Sequence, residues 1–396
     1  MLLKNRFWRW GYRLFHKFDK IRCNSRQDRF FQISTIVNSR SLKVAILGAA
    51  GNTGRCLSLF LKQSSIVDEL ALYDIKSTRG LAMELSHIDT RCKVNVCNSE
   101  EPSLLEVLDD AKIVMITAGK SFSAGCLSDE IIKENADILS DLIPDVVKKC
   151  PNAMVAVSTS PIDIMIPLAS EKFKMYGIPN FSRLFGVTTL NCIRANTFTA
   201  QVLRVDPECV VVPVIGGNSP QTCVPLFSQA KPCNNFTHEE VSRLTQAVKI
   251  AEINSHTKYS EEDQPLRLSM GYAAARFCVS LCKALKDQSQ VTEYAYVRSC
   301  ALPDVTYFTM PLNLGPDGIQ KHLGVPPLSD SECKLLEIAV PELRLSIKKG
   351  EILALGSESS SSDICAREPE PCAESDYSSK VRECNSPTLV PKSHNH

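Results

Sequence analysis

Lys43-Val-Ala-Ile-Leu-Gly-Ala-Ala-Gly-Asn-Thr-Gly54 is the stretch that decides the fold. Val44 to Leu47 are apolar without a break, as in a parallel strand buried on both faces. The chain then turns on Gly48, Gly51 and Gly54. Such a turn lets backbone N–H groups approach a pyrophosphate and points a helix N-terminus at its charge. The next apolar run, Glu69-Leu-Ala-Leu-Tyr-Asp-Ile75, ends in Asp74, twenty residues beyond Gly54. A carboxylate there accepts hydrogen bonds from adenosine ribose hydroxyls and repels a 2′-phosphate, which favours NAD over NADP. A glycine triplet alone marks many ordinary turns. Strand, glycine turn, helix, strand and terminal Asp in register mark a dinucleotide site.

Downstream, the pattern alternates. Helices are expected over 79–87, 104–108 and 129–149, the last with Ile131, Ile132, Ala136, Leu139, Leu142 and Ile143 on its inner face. Strands are expected over 93–96, 112–117 and 153–157, with Ala118-Gly119 after one and Ser158-Thr-Ser-Pro161 after another. This alternation predicts an α/β fold, a Rossmann doubly wound parallel sheet. The second half reads as an α+β catalytic-type domain that should roof the cofactor cleft. Its helices are expected over 191–202, 238–251, 266–285 and 329–349, with strands over 209–217, 224–227, 292–298 and 306–310. Thr237 with Glu240 fits a capping box.

The chain has 396 residues, 44% hydrophobic, enough for about two cores, and a net charge of +1 gives no global case for nucleic acid. Residues 1–40, however, hold ten Lys or Arg against two Asp, interleaved with Phe7, Trp8, Trp10, Phe15 and Phe18. This basic amphipathic segment reads as a mitochondrial transit peptide; the alternative is a basic arm retained on a membrane surface or a partner. No run of about twenty apolar residues is present, so no membrane span is expected. Residues 357–396 hold ten Ser and four Pro, a composition too polar to offset chain entropy. The expected organisation is a targeting segment at 1–40, a NAD-binding domain at 42–188, a substrate domain at 189–355 (to which the resemblance given below adds dimerisation) and a disordered tail at 356–396. The 17 Cys show no C-x-x-C spacing, so neither metal nor disulfide framework is expected, and Cys278 and Cys282 read as packing residues.

Seven segments together identify a resemblance: Gly-Ala-Ala-Gly-x-x-Gly (48–54), Leu-Tyr-Asp-Ile (72–75), Leu-Ser-His-Ile (85–88), Phe-Gly-Val-Thr-Thr-Leu (185–190), Arg-Ala-Asn-Thr-Phe (194–198), Pro-Val-Ile-Gly-Gly (213–217) and Leu-Ser-Met-x-Tyr-Ala (268–273). They resemble malate dehydrogenase of the mitochondrial type, within the lactate/malate dehydrogenase superfamily, over residues 42–350. The resemblance implies NAD as cofactor, a homodimer, a mitochondrial matrix location and interconversion of malate with oxaloacetate. On the cofactor side it implies contacts from Gly48, Ala49, Ala50, Gly51, Gly54, Asp74, Gly119, Asn135 and Met270, all retained. Asn52 and Thr53 depart from the Gly-Ile of the family turn.

The reaction machinery departs further. In the family, Pro-Val-Ile-Gly-Gly is followed by a His that takes the hydroxyl proton; here the residue is Asn218. The carboxylate that orients this His follows Thr-Thr-Leu; here it is Asn191. An amide has no lone pair basic enough for that proton near neutral pH. Of three substrate arginines only Arg194 remains, for a bidentate pair with the C1 carboxylate, while the other two positions hold Phe122 and Ser128. The family's Asn beside the substrate is Ser160. Missing acid–base catalysis costs roughly 10²–10⁴ in rate. Each lost charge-assisted hydrogen bond adds about 1.5–3 kcal/mol. None of the seven His offers a replacement base, and Arg267 either restores one positive charge or is a solvated helix residue.

Three readings follow from these residues. The first is a divergent, NAD-binding pseudoenzyme of the malate dehydrogenase fold. The second is a working NAD-dependent malate or 2-hydroxy acid dehydrogenase, its pocket reshaped by Phe122. The third is a scaffold that no longer binds NAD.

Overall fold

The computed structural model describes residues 41–95, 103–120, 128–179, 181–233, 235–257, 267–288, 290–303 and 305–356. The expectations for 1–40, for 357–396 and for Phe122 lie outside the described residues.

β1 (Lys43–Leu47) is buried along its whole length, as its uninterrupted apolar run requires. It feeds α1 (Asn52–Gln63), and the chain continues through β2 (Glu69–Tyr73), α2 (Arg79–Ser86), β3 (Lys93–Val94), α3 (Leu104–Leu108), β4 (Ile113–Ile116), α4 (Asp129–Lys149), β5 (Met154–Val157), α5 (Ile162–Met175) and β6 (Leu184–Gly186). These six strands are parallel and lie in the order β3-β2-β1-β4-β5-β6. The order reverses between β1 and β4, which opens a crevice beyond their carboxyl ends. α4 matches its expected limits. Ser128 caps it, Asp129 and Glu130 open it, and Lys148 and Lys149 close it, all in the sense that favours the helix dipole.

The second half contributes α6 (Thr189–Leu203), β7 (Val214–Gly216), β8 (Cys223–Pro225), α7 (His238–Thr257), α8 (Leu268–Leu285), β9 (Val291–Leu302), β10 (Val305–Gly315), β11 (Gly318–His322) and α9 (Asp330–Leu355). The Thr237–Glu240 capping box is present at the start of α7. β6 pairs with β9 at Gly186 and Tyr296, so the parallel sheet runs on into antiparallel β9, β10, β7 and β8, with β11 on β10. One continuous sheet therefore passes through both expected halves. The strand expected over 209–217 shrinks to β7, because Pro207–Cys209 forms a 3-10 turn and Pro213 removes a ladder donor. Cys278 and Cys282 are buried free thiols on α8, consistent with packing.

α8 crosses back to the first half. Gly271 lies against Thr53 and Cys56 of α1, and a Cβ there would strike the Cys56 side chain at 2.5 Å. Leu190, Ile193, Met270 and Ala273 form a small apolar cluster that ties the start of α6 to the start of α8 at the cleft.

Candidate functional site

The cofactor end is built on the turn after β1. Gly48 has φ +94°, a left-handed conformation, and a Cβ on it would overlap the Ala118 backbone at the end of β4. A Cβ on Gly54 would overlap the Gly48 carbonyl oxygen, so α1 can start this close only on glycine. Gly48 and Ala49 N–H groups both donate to the Tyr73 carbonyl oxygen, at 2.8 and 3.0 Å. The half-buried Asp74 accepts from Ala50 N–H at 2.9 Å and from Lys76 N–H at 3.0 Å. Its carboxylate thus holds β2 to the glycine turn. Gly51 and Asn52 stay exposed at the first turn of α1, where a phosphate would be received.

Beyond β4, Gly119 is exposed to the crevice. Asn135 lies fully buried behind it. Its carbonyl accepts from Lys120 N–H at 2.6 Å, and its amide donates to the Lys120 and Ser160 carbonyls at 3.2 and 2.9 Å. Asn135 therefore ties together the loops after β4 and β5 and is buried in this structure. Lys120, Ser158, Ser160, Arg267 and the buried Met270 line one small cavity of about 40 Å³ at the carboxyl ends of β4 and β5. Arg267 precedes α8 with φ +50° and is half-buried in this lining. It occupies the N-cap position of α8, without a side-chain capping bond, rather than a place on the helix's outer face.

The second cluster lies where α6 meets the β7–β8 turn. Asn191 donates to the Asn218 side-chain oxygen and to its backbone carbonyl, both at 3.3 Å. Arg194, one turn along α6, donates to the Asn191 side-chain oxygen at 3.5 Å. The fold thus brings the three expected positions into one hydrogen-bonded row. The row carries a guanidinium and two carboxamides, hence no group that accepts a proton near neutral pH. Ser160 lines the cavity described above, whereas the exposed Ser128 is taken up in capping α4, accepting from Ile131 N–H at 3.3 Å.

Asp163 is the residue that sequence reasoning missed. It sits at the start of α5, wholly buried, under the turn that carries Asn218. One oxygen accepts from Asn218 N–H at 2.6 Å; the other accepts from Ser219 N–H at 3.2 Å and the Thr222 hydroxyl at 2.6 Å. Burial pushes its carboxyl above the usual range, opposed by these donors. Its oxygens are occupied by the turn, so it anchors position 218 without facing the cleft. A carboxylate inside the apolar run Ile162–Ile166 was the available signal, since such a group is buried only with partners.

Comparison with known proteins places this geometry. Residues 42–180 match the lactate/malate dehydrogenase NAD binding domain, and residues 188–353 match the lactate/malate dehydrogenase alpha/beta C-terminal domain. Malate dehydrogenase, mitochondrial, of Caenorhabditis elegans is 38% identical over 325 residues, covering 82% of this chain and 94% of that one. The Homo sapiens protein of the same name is 41% identical over 309 residues, covering 78% and 90%. Among solved structures, lactate dehydrogenase from Eimeria maxima with NADH and oxamate has a TM-score of 0.68 at 22% identity, covering 81% of this chain and 98% of that one. Malate dehydrogenase of Cryptosporidium parvum has a TM-score of 0.65 at 23% identity, covering 78% and 99%.

Proposed function

Because the chain belongs to the lactate/malate dehydrogenase family, we propose that it holds the family's NAD but has lost the family's turnover, a pseudoenzyme that acts through binding or structure. The residues fit the cofactor: Gly48 and Gly54 of the turn admit no Cβ, Asp74 stands at the end of β2, and the first turn of α1 is open. Gly48, Gly51 and Gly54 would let the backbone approach the pyrophosphate, and Asp74 would hold the adenosine ribose. NAD supplies a hydride acceptor; the protein must take the hydroxyl proton. The observation that carries the reading is the Asn191–Asn218 pair at 3.3 Å, in the place where a proton acceptor and its orienting acid are required. Arg194 keeps one cation for a substrate carboxylate, held by Asn191 rather than free to turn.

The same reading extends to assembly and location. Leu59, Phe60, Leu268 and Tyr272 are exposed on α1 and α8, with Phe60 and Tyr272 edge-to-face at 5.4 Å. This apolar surface suits a homodimer. The basic segment at 1–40 and the mitochondrial relatives favour the mitochondrial matrix. Residues 42–188 serve the cofactor and 189–355 the substrate and the dimer.

Titration of the purified chain with NADH by fluorescence, followed by an assay of oxaloacetate reduction, tests the proposal. Binding without turnover is expected. Turnover abolished by Arg194→Ala would instead establish a working 2-oxo acid reductase, and absence of binding would reduce the chain to a scaffold.

A further inference from the structure

We propose that the outer face of α9 pairs with the same face of a second copy of this chain, the two helices antiparallel and related by a two-fold at Leu345. Ile338, Leu345 and Ile352 stand seven residues apart along α9 and are exposed, the first two at 64% and the third at 39%. Seven residues of helix return to the same side with a drift of about 20°, so the three form one stripe rather than three scattered side chains. From Ile338 to Ile352 the stripe runs about 21 Å, at 1.5 Å per residue.

The packing of α9 keeps this stripe turned outward. Its opposite face, with Ala339, Leu343, Ile347, Gly350 and Ala354, is buried. A Cβ on Gly350 would meet the Ile164 carbonyl oxygen of α5 at 2.3 Å, so the two helices approach as closely as only glycine allows. At the start of α9 the buried Glu332 accepts from the Ser228 N–H at 3.0 Å and from its hydroxyl at 2.6 Å. The helix is thus fixed in rotation near both ends, and its apolar stripe cannot roll into the core.

The charges beside the stripe select its occupant. Glu342, three residues before Leu345, and Lys349, four after it, lie on one flank; Pro341 and Lys348 lie on the other. A two-fold at Leu345 brings like flanks together in antiparallel helices. Glu342 then meets Lys349 of the second copy, and the same pair forms again by symmetry. Ile338 packs on Ile352, Leu345 on Leu345, and the Lys348 stem covers Pro341. A parallel pair would bring unlike flanks together and set Lys348 against Lys349, which repel. Lys349 also pairs with Asp129 of α4, but that contact is exposed and screened by water, and an ammonium has further donors for Glu342.

One face that complements itself is what an isologous contact requires. A helix pair this short covers less than the roughly 1,200 Å² of a standard interface, so the association is weak and depends on concentration. It uses none of Leu59, Phe60, Leu268 and Tyr272, and therefore adds to the surface on α1 and α8 rather than replacing it.

The test is analytical ultracentrifugation of the full chain over about a hundredfold range of concentration. The mass is expected to rise with concentration. Leu345→Glu should weaken that association at least tenfold and leave the melting temperature unchanged, because the side chain is exposed. Glu342→Lys and Lys349→Glu should each weaken it about three- to tenfold. Both changes in one chain, or an equimolar mixture of the two single variants, should restore it to within about threefold; failure of both to do so would overturn the pairing. Phe60→Glu acts separately, on the α1 and α8 surface. Association lost with Phe60→Glu and untouched by Leu345→Glu would overturn the α9 contact alone, and the reverse would remove only the homodimer reading above. A mass that changes neither with concentration nor with residue 345 would also overturn the contact. If Leu345→Glu then raises the frictional ratio, the stripe is covered by residues 357–396 of the same chain instead.

Discussion

At one end of the cleft, Asp74 still holds the Ala50 N–H at 2.9 Å and two glycines admit no Cβ; at the other, Asn191 and Asn218 meet at 3.3 Å where the family reaction needs a carboxylate and an imidazole. The two ends differ in what the side chains can do with a proton. The cofactor end works by shape and by backbone donors, which titrate nowhere near neutral pH. The substrate end depends on two titratable groups, and both positions are now carboxamides. The placement of residues 191 and 218 is held with two carboxamides in it, because Asp163 and the Asn191–Asn218 bonds secure the turn.

The largest effect should come from the glycine turn. Gly54→Ala must push α1 away from the Gly48 carbonyl and should weaken NADH more than a hundredfold in a fluorescence titration. Asn218→Ala, at the other end, should leave that affinity within about twofold. Equal losses from the two variants would erase the contrast. Next comes Asp74→Ala. Loss of a charged acceptor is worth about 1.5–3 kcal/mol, so NADH should bind roughly ten- to a hundredfold more weakly by calorimetry, with NADPH affected less.

A smaller change is expected from Asn218→His combined with Asn191→Asp. Restoring the couple should raise oxaloacetate reduction less than about tenfold, because Ser128 is engaged in capping α4 and supplies no guanidinium. A gain of a hundredfold or more, the range of acid–base catalysis, would show that the missing arginines matter little.

The pH dependence of the stability of Asp163→Asn should be the smallest of these effects, with a defined sign. Burial raises the folded carboxyl above its unfolded value, so the folded state holds this proton more tightly. The contribution to stability is full at pH below the unfolded value, near 3.9, and is lost as pH rises through the folded one. The melting temperature of the variant relative to the parent should thus rise from pH 4 to pH 7. A fall over that range would contradict the assignment.

Much of the cofactor end was legible in sequence, because β1, its glycine turn and Asp74 are local features with fixed spacing. α4 was legible for a similar reason, with an amphipathic period and charges at both ends. α5 was missed. Its run Ile-Asp-Ile-Met-Ile-Pro reads like a strand, carries Pro167 inside the helix, and is buried nearly all round, leaving no polar face to reveal a helical period. Asp163 was lost with it. β6, three residues long, and β11, half exposed, were too short or too polar to signal themselves. Arg267 required the fold, since only the packing of α8 on α1 turns residue 267 toward β4 and β5.

Hydride transfer itself offers the most direct test. Excess protein mixed with NADH and oxaloacetate in a stopped flow should show NADH fluorescence change on binding and no protein-dependent loss of absorbance at the dihydronicotinamide band. A single-turnover decay in the ordinary enzymatic range, on the order of 1 s⁻¹ or faster, would mean that another group takes the proton and that the two asparagines have not silenced the site.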